Sequence, residues 1–118
     1  MKFNHVTLYV KDIEKSLKFY TEVVGLDVLD KMGDGHGNDI VFVGSGDTQV
    51  ELISTAKDFT AGSGISLGFI PSSLEDAKAL LQEKGFGAGG DIMSPNPHTH
   101  FFFVKDPDGN TVQFIAFD

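Results

Sequence analysis

Residues 5–10, HVTLYV, alternate with a period of two and are rich in β-branched and aromatic side chains. This predicts a strand with Asn4, Val6, Leu8 and Val10 on one face and His5, Thr7 and Tyr9 on the other. The period then lengthens. In DIEKSLKFYTEVVG, Ile13, Leu17, Tyr20 and Val24 recur at helical spacing, Asp12 stands where an N-cap belongs and Gly25 follows the last turn, so an amphipathic helix is predicted. Strand-like stretches follow near 26–32, 39–44 and 48–54, parted by the turn chemistry of GDGHGN and GSGD. The first half therefore reads βαβββ.

The second half repeats the order. GISLGFI predicts a strand, and SSLEDAKALLQEKG a helix with Leu74, Ala77 and Leu81 on one face, a capping box in Ser72 and Glu75, and Gly85 as C-terminal cap. Next come a weak Gly-rich strand near 87–93, a loop MSPNPH whose prolines should bar regular structure, the strand THFFFV, a DPDG turn with Gly109 at the position that needs positive φ, and the strand NTVQFIAF. The halves superpose in sequence: His5 falls over Ser66 at an offset of 61 residues, and VELIS (50–54) over VQFIA (112–116) at 62. An internal repeat of this kind predicts an α+β domain, 1–118, built of two paired βαβββ modules at roughly 1–56 and 62–118.

In each module the helix must cover one sheet face. Val6, Leu8, Val10, Val50, Leu52, Leu67, Phe69, Val112 and Phe114 are the natural floor beneath it. Their alternates (His5, Thr7, Tyr9, Gln49, Glu51 and Ile53 in the first module; Ser66, Gly68, Thr111, Gln113 and Ile115 in the second) point the other way. That half-polar face is suited to a small-molecule ligand.

Composition narrows the options. The hydrophobic content of 41%, with 11 Phe, can supply a core, and the formal charge of −8 without a Lys/Arg cluster argues against nucleic acid and anionic membranes. No apolar run approaches the roughly 20 residues of a membrane helix, and MKFNHVTLYV lacks the regions of a signal peptide, so cytoplasm is expected. With no cysteine, thiolate ligands and thiol nucleophiles are excluded, which leaves four His and the acids for metal chemistry.

His5 on the first strand, the helix ending FYTEVVGL, the VELIS strand and the closing FFFVKDPDGNTVQF together resemble the vicinal oxygen chelate superfamily, which includes glyoxalase I, methylmalonyl-CoA epimerase, extradiol dioxygenases, and the fosfomycin and bleomycin resistance proteins. The resemblance spans essentially the whole chain. It implies that the paired modules form a cup-shaped, partly closed eight-stranded sheet, that the protein is a homodimer, and that a divalent metal (Zn, Ni, Co, Mn or Fe) can sit on the positions of His5, Glu51, Ser66 and Gln113. Ser66 stands where the family usually has His, and Gln113 where it usually has Glu. A hydroxyl and a neutral amide are weaker donors than imidazole and carboxylate, so the metal site is degenerate.

His98 and His100, spaced as HTH, suggest a replacement: His100 could join His5, Glu51 and Gln113 as a ligand, or be a strand residue with a satisfied hydrogen bond. His36, among glycines, is not expected to ligate. Glu51 could act as a base removing a proton alpha to a carbonyl, or simply pair with His5. Thr7, Tyr9 and Ser66 are candidate ligand contacts; FFF at 101–103 reads mostly as core, with Phe102 the one that could line the cup and stack on a flat ligand. Loops 33–38 and 92–98 should set pocket depth. Two functions follow: a small-molecule-binding protein, or a metal-dependent lyase or isomerase of glyoxalase I type acting on a small carbonyl compound.

Overall fold

The computed structural model describes residues 1–34, 36–56 and 58–118; Gly35, in the 33–38 loop, lies outside them. Two compact units divide the chain, Met1–Thr60 and Ala61–Asp118.

In the first unit β1 (His5–Tyr9), β2 (Asp27–Gly33), β3 (Asp39–Ser45) and β4 (Thr48–Ile53) form a sheet of order β1-β4-β3-β2, with β1 and β4 parallel. α1 (Ile13–Leu17) packs against β4. It starts as the sequence predicts, with the Asp12 side chain accepting from the backbone N–H groups of Glu14 and Lys15. Its second half departs from the prediction: Lys18–Val23 is π-helical, Val24 N–H donates to Phe19 O at 3.1 Å, and the Thr21 hydroxyl donates to Leu17 O at 2.6 Å. The buried set is Ser16, Phe19, Tyr20 and Val23 rather than Ile13, Leu17, Tyr20 and Val24. Val10, Val41, Val43, Val50 and Leu52 are buried in the same module.

The second unit repeats the plan. β5 (Ser66–Phe69), β6 (Met93–Asn96), β7 (Thr99–Lys105) and β8 (Thr111–Phe117) form a sheet of order β5-β8-β7-β6, with β5 and β8 parallel and α2 (Leu74–Glu83) against β8. Leu74, Ala77 and Leu81 are buried with Phe102, Val104, Val112 and Phe114, as the helical pattern predicts. The cap lies one residue later than the capping box, for Ser73 rather than Ser72 accepts from Asp76 N–H at 3.0 Å. Gly85 and Gly109 both adopt positive φ.

Two expectations about 87–98 are corrected. The Gly-rich stretch forms no strand before Met93; instead Gly89 lies so close over Phe102 that an added Cβ would approach the ring at 2.9 Å, and Lys78 Nζ ties the carbonyls of Ala88 and Gly90. The proline-containing segment does form a strand. β6 is an edge strand with an irregularity between Met93 and Asn96, so the ladder requires no amide donor from Pro95.

Candidate functional site

Residues directly opposed on neighbouring strands share a face. Across β1, β4 and β3 the rows are His5, Gln49 and Gly44; then Thr7, Glu51 and Phe42; then Tyr9, Ile53 and Ile40. The first module thus carries His5, Thr7, Tyr9 and Glu51 together, on the side away from Val50 and Leu52. Thr7 Oγ1 donates to Glu51 Oε1 at 2.6 Å, and His5 Nε2 lies 3.4 Å from the same oxygen. The first contact is a short charge-assisted hydrogen bond; the second is an ion-pair distance. The His5 ring stands edge-on to Phe42 with centroids 5.3 Å apart, and its Nδ1 meets the Asn4 amide at 2.7 Å. Because an amide can present either N–H or C=O, Asn4 can support either imidazole tautomer. The Glu51 side chain is only 16% exposed, so its carboxylate is a sheltered acceptor fixed by its neighbours.

In the second module the matching rows are Ser66, Thr111 and Lys105; then Gly68, Gln113 and Phe103; with Ile115 and Phe101 beyond. Ser66 and Gln113 therefore share one face, as expected. Lys105 Nζ donates to Thr111 Oγ1 at 2.6 Å, and Phe101 and Phe103 meet edge-to-face at 5.5 Å. The Gln113 side chain reaches over Gly68, its Oε1 lying at an ordinary contact distance of 3.8 Å from where a Cβ would stand.

Two assignments are corrected. Phe102 faces the helix, fully buried, 5.3 Å from the Phe114 ring and under Lys78 Nζ at 4.5 Å; it cannot stack on a ligand at the polar face. Phe103 is the phenylalanine on the face of Gln113, and the repeat contains the signal, because the offset of 61 residues carries Phe42 onto Phe103. Lys105 was missed for the same reason: a strand phased on Phe102 places both Phe103 and Lys105 with the core. His100 also lies on the helix side, opposite Ala116 and therefore away from Gln113. It bridges Ser94 Oγ (Nδ1, 2.6 Å) and Asp118 Oδ1 (Nε2, 3.1 Å), which is the satisfied alternative. It borders a cavity of about 410 Å³ beside the first turn of α2. His98 precedes β7 and does not share the strand.

Among the described residues no group of three or more His, Cys, Asp or Glu gathers to hold a metal. A catalytic zinc site uses three protein ligands. The first module offers one imidazole and one carboxylate whose Oε1 already accepts from Thr7, and the matching positions of the second offer a hydroxyl and an amide. Among the described residues at these positions, neither module by itself supplies three such ligands.

Known proteins place the chain in context. A probable lactoylglutathione lyase from Vibrio parahaemolyticus is 32% identical, covering 94% of this chain and 87% of its own. A lactoylglutathione lyase from Neisseria meningitidis serogroup A is 31% identical over 98% and 90%. Among solved structures, TnmS3, an antibiotic binding protein from Streptomyces sp. CB03234, superposes with a TM-score of 0.74 at 27% identity, covering 100% of this chain and 97% of that one. No helix is long and apolar enough to cross a membrane among the described residues. The family model matches residues 2–114, and with the doubled βαβββ order it establishes that the chain belongs to the Glyoxalase/Bleomycin resistance protein/Dioxygenase superfamily.

Proposed function

We propose that this chain is a cytoplasmic, homodimeric small-molecule-binding protein that uses the half-polar sheet faces of its modules without a tightly bound metal. The reading is carried by the engagement of Glu51 within its own module: Thr7 donates to it and His5 faces it, while the positions of His5, Thr7 and Glu51 are taken in the repeat by Ser66, Gly68 and Gln113. A carboxylate held in this way is a preorganised acceptor for a ligand N–H or O–H, and the Phe42 ring beside His5 provides apolar surface on the same face. Likeness to an antibiotic binding protein supports the same reading.

A second reading is a lyase of glyoxalase I type, with Glu51 as the base that removes a proton alpha to a carbonyl. It draws support from relatives at 31–32% identity that are lactoylglutathione lyases by name.

The two readings part on one experiment. Untagged protein is assayed for S-lactoylglutathione formation from the methylglyoxal–glutathione adduct, with zinc or nickel added, beside Glu51→Gln. Binding alone predicts no turnover above that variant; turnover that disappears in Glu51→Gln would overturn it.

A further inference from the structure

The polar face of the second module carries a row of three side chains with one shared property. Ser66, Thr111 and Lys105 lie side by side on β5, β8 and β7. Lys105 Nζ donates to Thr111 Oγ1 at 2.6 Å. Because that hydroxyl oxygen accepts from an ammonium, its own proton is directed elsewhere; Ser66 adds a second hydroxyl and Lys105 has further N–H groups. The row is therefore a bank of donors around a positive charge, in a chain whose formal charge is −8. One step along the strands, Gly68 and Gln113 lie beside Phe103, which is 38% exposed although its chain neighbours Phe102 and Val104 are buried. Residues two apart on a strand are separated by about 6.6 Å, so the donor row and the aromatic edge are about one ring's width apart.

We infer that the ligand of this face is an amphiphilic anion: a flat aromatic or conjugated body against Phe103 that carries a carboxylate or sulfonate received by Lys105, Thr111 and Ser66. This rests on the small-molecule-binding reading above and adds the charge and size of the ligand to it. Lys105 is the specificity residue, and Gln113 is available to a polar substituent on the body through either end of its amide.

The test uses three matched probes that differ in charge: naphthoate, naphthylmethanol and naphthylmethylamine, titrated into the full chain and followed by calorimetry and amide chemical shifts. Naphthoate should bind about tenfold more tightly than the alcohol, as expected for one charge-assisted contact, with shifts on β7 and β8. Lys105→Gln should remove that advantage while Lys105→Arg retains most of it, the amide spectrum of each variant reporting that the fold is intact. Equal binding of all three probes, lost in Phe103→Ala, would overturn the anion inference and leave the binding reading standing, as would tighter binding of the amine or indifference to Lys105→Gln. If no probe binds, both are overturned.

Discussion

Thr7 and Glu51 are direct partners across the parallel β1–β4 pair, and the hydroxyl of one donates to the carboxylate of the other at 2.6 Å. The contact fixes the acceptor of the first module's polar face before any ligand arrives. Thr7→Val keeps the shape and β-branching but removes the donor, so it should cost about 1.5 kcal/mol in urea denaturation, whereas Thr7→Ser should stay close to the parent. Equal losses in the two variants would mean that packing, not the hydrogen bond, sets the value.

Phe102 and Phe103 should separate stability from binding. Phe102→Ala empties a fully buried ring position beside Phe114 and should cost about 3–5 kcal/mol. Phe103→Ala should change the denaturation midpoint little and weaken an aromatic ligand instead.

Metal affinity should respond to repair of the second module. Ser66→His with Gln113→Glu supplies the imidazole and carboxylate that the family pattern has there, and zinc affinity, measured by competition with a colorimetric chelator, should rise by at least about tenfold. Each single variant should give a smaller gain than the pair. No gain in the double variant would refute the carry-over of the family pattern to these two positions.

His100 is expected to be irrelevant to the polar face. Its partners are Ser94 on β6 and Asp118 after β8, so His100→Gln should loosen the attachment of β6, seen as faster amide exchange at Met93–Asn96, with ligand binding unchanged. A loss of ligand affinity would refute the face assignment.

In the 33–38 loop the Asn38 side-chain amide, followed by the His36 backbone N–H, holds the Asp34 carboxyl below the usual carboxylate range. A depressed value means that the charged form is favoured in the folded loop. Its contribution is therefore present above the unfolded carboxylate range and is lost as the pH falls through the lowered value. Carbon-detected titration should find Asp34 below a free aspartate, and Asn38→Ala should move it upward.

Much of this was legible in the residues. The repeat gave both modules, Asp12 and Gly25 bracketed the first helix, and strand alternation placed His5, Thr7 and Glu51 on one face and Ser66 with Gln113 on another. Where the reading failed, local chemistry was ambiguous. A run of three phenylalanines carries no alternation, so its phase must come from outside the run, and the match to Phe42 was the available guide. The π-helical turn at Lys18–Val23 leaves an apolar pattern that a regular helix also explains. A proline rules out a central strand but not an edge, and only the strand order reveals which one β6 is.

β6 has a role at the rim of its sheet as well. All four of its residues are exposed, and Pro95 withholds an amide, so an incoming chain seeking to extend the ladder would find it gapped. β2, exposed throughout, breaks register between Val28 and Asp30 and displays Asp27, Asp30 and Lys31. On these two edges, one in each sheet, the proline and the register break interrupt the ladder that a further strand would have to extend.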